Sequence, residues 1–91
     1  GFLPQKKGRQ TRLKELSLET RTMVFYESPF RILKLMEEFE KFIGADRQVV
    51  VARELTKIHE TYYRGTVEEV IQQLENGIIK GEIVVVLAGR A

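Results

Sequence analysis

The sequence contains no cysteine and only one histidine, His59. Without cysteine the chain can form neither a disulfide nor a thiolate metal site, and this absence says little about the cell compartment. A lone histidine argues against a zinc centre and against a catalytic triad built on histidine. No apolar run approaches the ~20 residues that span a bilayer. A Ser-His-Asp set, a recognisable carboxylate dyad, a GxGxxG motif and a P-loop are also missing, which excludes the enzyme classes that those motifs mark.

The chain is short and weakly basic. Its 91 residues suffice for one small domain with a modest core. A net charge of +2 is too small to indicate a nucleic-acid partner by itself. The basic residues are unevenly distributed, because Lys6, Lys7, Arg9, Arg12 and Lys14 all precede the first acidic residue, Glu15. The sequence begins with an apolar Gly-Phe-Leu-Pro segment, so we expect it to be a fragment of a longer polypeptide whose partner domain is missing.

Hydrophobic periodicity predicts the element order β-α-β-β-α-β, preceded by a short helix at residues 9–19. The predicted strands lie at residues 22–26, 49–52, 61–64 and 82–88. The first long helix has apolar residues at Ile32, Leu35, Met36 and Phe39 and ends at Gly44. The second begins at a capping box formed by Thr66 and Glu69 and ends at residues 76–77. We therefore expect an α/β (α+β) domain with a mixed sheet packed by about three helices, and the apolar last strand predicts a central position covered on both faces.

The first strand runs directly into Glu27, Ser28 and Pro29. Ser28 is expected to cap the following helix, with Pro29 at its first position, where the missing N–H costs nothing. This arrangement would deliver Tyr26, Glu27 and Ser28 to the carboxyl end of a strand, beside a helix start. Open α/β sheets place their ligands at such edges, although a purely structural turn has the same sequence pattern.

Two further segments end at predicted strand tips: Arg53 with Glu54, and Ala88 with Gly89. If the strands that supply them run parallel, all three tips share one edge of the sheet and line one cleft. The alternative is that these are solvated loop residues, because surface charges such as Arg53 and Glu54 are typically worth only ~0–1 kcal/mol as pairs. The basic segment at residues 5–9 leaves two alternatives open as well: an anion site at a helix start, or a solvated basic loop.

Five motifs taken together resemble one protein family. They are Gly-Phe-Leu-Pro-x-Lys-Lys-Gly-Arg at residues 1–9, Arg-Thr at 21–22 with Phe-Tyr-Glu-Ser-Pro at 25–29, Arg-Glu-Leu-Thr-Lys at 53–57, Arg-Gly-Thr at 64–66 and Lys-Gly-Glu-Ile-Val at 80–84. In this order they are similar to the C-terminal domain of the bacterial 16S rRNA (cytidine 2′-O)-ribose methyltransferases, in the tetrapyrrole (corrin/porphyrin) methylase superfamily. Phe30 departs from the resemblance, because the family commonly has histidine there, and this argues against proton transfer at the position.

The resemblance implies a cytoplasmic two-domain enzyme that binds S-adenosyl-L-methionine in the cleft between its domains, with the N-terminal cofactor-loop domain absent from this chain. It implies a homodimer, the 16S rRNA or small ribosomal subunit as partner, no metal, and no identified catalytic base. The cofactor-binding residues that it implies are Tyr26, Glu27, Ser28, Arg53, Glu54, Ala88 and Gly89. The residues that it implies for RNA phosphates are Lys6, Lys7, Arg9, Arg12 and Arg31.

Two other functions remain open at this point. The same fold and cofactor could serve a tetrapyrrole substrate, since the carboxylates of such a substrate would also meet basic residues. The second alternative is a non-catalytic RNA-binding module. The expected burial of Phe25, Phe39 and Phe42 weakens it, because such modules usually expose aromatic rings for stacking.

Overall fold

The computed structural model describes residues 3, 6–54, 60–75 and 81–91, and for Glu54 and Glu60 the backbone alone. The predicted order of elements is confirmed. Three helices and four strands follow one another as α1 (Arg9–Leu18), β1 (Met23–Glu27), α2 (Ile32–Phe42), β2 (Gln48–Glu54), β3 (Glu60–Thr66), α3 (Val67–Glu75) and β4 (Glu82–Leu87). The strand predicted at 49–52 is longer than expected, because Arg53 and Glu54, which were expected to follow it in a loop, complete β2. The predicted helix end at 76–77 and His59 lie outside the described residues.

The four strands form one sheet in the order β1-β4-β2-β3. Each of the three pairings in this sheet is antiparallel, so the expected mixed sheet is wrong while the fold class is confirmed. β2 and β3 follow each other along the chain and pair antiparallel, as closely connected strands usually do. β4 inserts between β1 and β2, which makes those two strands parallel to each other without being neighbours.

The core lies between one face of the sheet and the helices. Side chains alternate along a strand, and Phe25, Val51 and Val85 point into the core from β1, β2 and β4. The four apolar residues that predicted α2 are all buried, and the Phe39 ring lies 5.7 Å from that of Phe25. Burying a large apolar side chain typically contributes ~1.5–3 kcal/mol, so this face holds the sheet and helices together.

The other face of the sheet is more open. Val24, Tyr26 and Tyr62 are exposed on it, and Val84 and Val86 of β4 are half-buried. The central position predicted for β4 is confirmed. Within the described residues, however, only one of its faces is fully buried, so the expectation of cover on both faces is wrong for this chain.

Helix α3 begins at the predicted capping box. The capping box is confirmed: Glu69 N–H donates to Thr66 Oγ1 at 3.2 Å, and Thr66 N–H donates to Glu69 Oε1 at 2.9 Å. This bonding lowers the pKa of Glu69, because the backbone N–H of Thr66 stabilises the carboxylate.

The predicted Ser28 cap is wrong. Helix α2 begins at Ile32, and its N-cap is Arg31 without a side-chain cap. The Arg31 N–H donates to the Ser28 carbonyl at 3.0 Å, so residues 28–31 form a turn, a position in which Pro29 is favoured. None of the three helices in the described ranges is both long and apolar enough to cross a membrane.

Candidate functional site

One edge of the sheet brings together two of the three predicted strand tips. Glu27 at the end of β1 and Arg53 near the end of β2 both lie opposite Ile83 at the start of β4. Glu54 lies opposite Glu82, and its side chain is outside the described part of the chain. The shared edge therefore exists for these two tips. It arises because β1 and β2 are each antiparallel to the strand between them.

The third tip lies at the opposite edge, so the expectation that Ala88 and Gly89 join the other two is wrong. β4 runs antiparallel to both neighbours, and its last residue, Leu87, pairs with Met23 and Val49 at the starts of β1 and β2. The expectation required all three strands to run parallel. This holds for β1 and β2 but not for β4, which is antiparallel to both.

Ala88 and Gly89 have structural contacts at that edge. The Ala88 N–H donates to the Gln48 carbonyl at 2.9 Å, and the Ala88 carbonyl accepts from Arg47 Nη1 at 3.1 Å. A Cβ at Gly89 would lie 2.1 Å from the Thr20 carbonyl oxygen. Glycine is therefore required by close backbone packing at this point.

Alternation along the strands divides the predicted site residues between two faces of the sheet. Tyr26 points to the open face and is 50% exposed. Glu27 and Arg53 point to the side that the helices cover. There the Ser28 N–H donates to Glu27 Oε1 at 2.8 Å, which fixes the carboxylate, and Arg53 Nη2 donates to Thr61 Oγ1 at 3.4 Å.

Two clefts meet at the tip of β1, and residues 26–28 line both. The first, of about 530 Å³, extends from Tyr26 towards Arg9, Phe30 and Arg31. The second, of about 500 Å³, extends over Gly81 and the start of β4 to Val84. Both volumes fall within the ~300–1,000 Å³ of ordinary small-molecule sites. The three residues of this tip are therefore placed where a ligand of that size could contact them.

The five basic residues assigned to phosphate contacts do not form one group. Lys6, Arg9 and Arg31 line a smaller pocket of about 190 Å³ together with Lys34. Lys7 and Arg12 are exposed and do not line it, and Arg12 Nη1 lies 3.1 Å from Glu15 Oε2. Sequence reasoning missed Lys34. The spacing in the sequence could have indicated Lys34, because it follows Arg31 by three residues and residues three apart on a helix share a face.

Arg9 is held in place by Glu38 of α2. Its Nε and Nη2 donate to the two Glu38 carboxylate oxygens at 2.8 and 2.6 Å. The hydrogen-bonded carboxylate raises the pKa of Arg9, so the guanidinium stays charged. This bidentate pair positions Arg9 between the first cleft and the small basic pocket, both of which it lines.

The burial predicted for three phenylalanine residues largely agrees with the structure, but the exposure of Phe30 was not predicted. Phe25 and Phe39 are buried as predicted, and Phe42 is half-buried against the core. Phe30, however, is 97% exposed and lines the first cleft with Arg31. The sequence placed Phe30 at the start of a helix, whereas it lies in the turn before α2, and this turn presents its ring to solvent.

The sequence model of the tetrapyrrole (corrin/porphyrin) methylases matches residues 2–71. The chain belongs to this family. The resemblance seen in the motifs is thereby confirmed, and a structural comparison agrees with it. The tetrapyrrole methylase fold of a cobalt precorrin-4 methyltransferase, CbiF, matches 96% of this chain and 38% of its own, with a TM-score of 0.67 and 22% identity. At that identity the likeness shows the fold alone.

Several curated proteins match almost the whole chain. The ribosomal RNA small subunit methyltransferase I of Thermotoga maritima is 47% identical over 90 residues, 99% of this chain and 40% of that protein. Proteins of the same name from Synechocystis and Pasteurella multocida are 42% and 44% identical and are covered over 32% and 33% of their lengths. The chain thus spans about a third to two fifths of these relatives.

Proposed function

We propose that this chain is the C-terminal domain of an S-adenosylmethionine-dependent methyltransferase that methylates a ribose 2′-hydroxyl of 16S rRNA. The observation that carries the proposal is the 42–47% identity, across nearly the whole chain, to proteins named ribosomal RNA small subunit methyltransferase I. The relatives' greater length supports a second domain that this chain lacks. On this proposal the rest of the polypeptide supplies the other wall of the cofactor cleft, in a cytoplasmic homodimer.

The residues at the tip of β1 fit one side of an S-adenosylmethionine site. Tyr26 offers an exposed aromatic ring next to an apolar strand, and the cleft beside it has about 500 Å³. Glu27 Oε1 accepts the Ser28 N–H, and we assign Glu27 Oε2, which accepts no hydrogen bond from the part of the chain that the structure describes, to an amino or hydroxyl group of the cofactor. Arg53 and the backbone of Glu54 complete this edge. We omit Ala88 and Gly89 from the proposed wall because they lie at the other edge.

When bound, the cofactor supplies a methyl group that its sulfonium sulfur has already activated. What the chain's own residues contribute is position and charge. Holding two reactants in line can supply ~7–11 kcal/mol of a barrier, so fixed groups such as the hydrogen-bonded Glu27 carboxylate matter. A ribose hydroxyl is a weak acid, so its proton requires an acceptor or a polarising network. No described residue is assigned as that acceptor.

The RNA is proposed to lie along the basic side of the site. Lys6, Arg9 and Arg31 lie together there, adjacent to the first cleft. Phosphate contacts of this kind set the position of the RNA on the protein and read no sequence. Lys7 and Arg12 remain candidates for weaker contacts with phosphates further along the RNA, since both side chains are exposed.

The test is methyl transfer by the complete polypeptide that contains this chain. It is incubated with methyl-labelled S-adenosylmethionine and, in parallel, with small ribosomal subunits or a porphyrinogen. The proposal is supported if the 16S rRNA becomes labelled and one of its phosphodiester bonds resists alkaline cleavage, because a 2′-O-methyl group blocks that cleavage. Label in the porphyrinogen alone indicates the tetrapyrrole alternative. RNA binding without transfer to either acceptor indicates a non-catalytic module.

A further inference from the structure

We propose that the basic pocket between the starts of α1 and α2 binds one phosphate of unpaired RNA, and that Phe30 stacks on the adjacent base. The inference rests on the proposed function only in taking RNA as the ligand. It adds a binding role for Lys34 and Phe30, and it restricts the RNA to a single-stranded segment. Four observations carry it: the lining of the pocket, the local charge balance, the exposure of Phe30, and the residues shared by two clefts.

The pocket is lined by four cationic side chains, those of Lys6, Arg9, Arg31 and Lys34. Its volume of about 190 Å³ is below that of an ordinary small-molecule site and suits a single anionic group. Cationic side chains that share a small concavity repel one another, and this repulsion is relieved by a bound anion. A divalent metal or a cationic ligand would meet the wrong charge here.

The charges around the pocket are only partly balanced by the protein itself. Glu38 is paired with Arg9, on which the nearby Glu27 carboxylate also acts, while Lys6, Arg31 and Lys34 form no ion pair with any residue in the described ranges. The first turns of α1 and α2 contain no acidic residue, and neither helix has a side-chain N-cap. The positive ends of both helix dipoles therefore add to the cationic side chains.

Phe30 extends the site from a phosphate to a nucleotide. Phe30 is 97% exposed and adjoins cationic side chains, and binding sites for single-stranded nucleic acid combine exposed aromatic rings with positive charge in this way. Arg9 and Arg31 line both the small pocket and the larger cleft that contains Phe30. A phosphate in the small basic pocket thus places the neighbouring base in the larger cleft, beside Phe30. A paired base would have no free face to offer, which favours unpaired RNA.

The phosphate part is tested by titrating a labelled unpaired oligoribonucleotide into the 91-residue chain at several salt concentrations. Lys34→Gln is expected to weaken binding and to reduce the slope of log affinity against log salt by about one. Lys41→Gln is the matched control, because Lys41 is exposed at the other end of the same helix. Equal slopes for the two variants would overturn the phosphate contact.

The stacking part is tested with three replacements of the exposed Phe30 side chain. Phe30→Ala and Phe30→Leu are expected to weaken binding about tenfold, within the range of one base–aromatic stack, whereas Phe30→Tyr keeps the affinity. A duplex of the same sequence should bind all four proteins alike. Wild-type affinity in Phe30→Ala would overturn stacking, and so would equal losses in Phe30→Leu and Phe30→Tyr, which would indicate apolar packing against another part of the protein.

The two proposals can fail separately. If the complete polypeptide methylates ribosomal RNA but Lys34→Gln and Phe30→Ala bind RNA like the wild type, the inference fails and the proposed function stands. If no methyl transfer occurs but the two variants lose RNA affinity as described, the nucleotide site stands and the proposed reaction fails.

Discussion

At the scale of single residues, Gly89 shows how a position at a strand tip can be structural. A Cβ there would meet the backbone carbonyls of Thr20 and Arg21 at 2.1 and 2.7 Å, and backbone atoms cannot move aside as a side chain can. Gly89→Ala is expected to lower the free energy of unfolding by about 1–3 kcal/mol, the usual range for overpacking.

Urea denaturation of the ligand-free chain measures this effect of Gly89→Ala. Arg90→Ala is the control, because Arg90 is exposed and immediately follows. A Gly89→Ala protein as stable as the wild type would show that the contact with Thr20 does not constrain this position, and the cofactor role that the sequence suggested would then deserve a test of its own.

Glu19 gives a pH dependence whose sign can be stated. Its carboxylate accepts two hydrogen bonds from Arg21, one from the backbone N–H and one from the side-chain Nε, each at 3.0 Å. The guanidinium bond is the main cause that lowers the pKa of Glu19 from 4.5 to about 2. Because the folded pKa lies below the unfolded one, this contribution to stability is complete above pH 4.5 and is lost as the pH falls through about 2.

The measurement compares the wild type with Glu19→Gln in chemical denaturation at several pH values. The wild type is expected to be the more stable protein near neutral pH, and the difference is expected to shrink between pH 4.5 and about 2. A difference that stays constant across this window would contradict the lowered pKa.

At the scale of helices and strands, local signals were predictable and pairings were not. The apolar spacing of α2 and the Thr66–Glu69 capping box lie within a few turns of chain, and both are confirmed. The apolar run of β4 predicted its central position, but its antiparallel pairing with β1 depends on contacts between residues 23–27 and 83–87, which no local pattern encodes. The helix start at Ser28 was misread because Pro29 is favoured both in the first turn of a helix and in the β-turn that forms here.

The same division applies to the candidate site. The tips at Glu27 and Arg53 share an edge because β1 and β2 run parallel to each other on either side of β4. Ala88 and Gly89 lie at the other edge because β4 itself runs antiparallel to both. Lys34 and the exposed Phe30 were not predicted as site residues, because their positions depend on where α1 lies beside α2 and on where α2 begins.

Those two helices are joined by a side-chain pair that can be tested. Arg9 at the start of α1 binds Glu38 of α2 through two hydrogen bonds, and the two side chains are only 14% and 18% exposed. Glu38→Gln keeps the size of the side chain and removes its charge. We expect it to lower the free energy of unfolding by about 1–2 kcal/mol, between the values for exposed pairs and for buried charged hydrogen bonds.

Urea denaturation of Glu38→Gln is compared with that of Glu37→Gln, whose carboxylate is exposed on the same helix turn. The Glu37 variant is expected to match the wild type within error. Equal losses in both variants would indicate a general effect of helix charge and would contradict a specific contribution from the pair with Arg9.

At the scale of the whole molecule, the chain has a core of its own, and on the proposed function it has only part of the cofactor site. The helices bury one face of the sheet, and on this ground we expect the chain to fold by itself. The two clefts at the tip of β1 are partly open to solvent. Small-molecule sites usually enclose most of their ligand, and affinity depends on contacts from all sides. The chain alone should therefore fold cooperatively and still bind S-adenosylmethionine poorly.

Titration calorimetry of the 91-residue chain and of the complete polypeptide tests this expectation. We expect the affinity of the chain to be weaker by about a hundredfold or more, which corresponds to a loss of ~3 kcal/mol in binding free energy. Thermal unfolding of the same samples shows that the chain is folded during the titration. Comparable affinities in the two proteins would mean that the described residues form a complete cofactor site, and the proposed division of the cleft between two domains would be wrong.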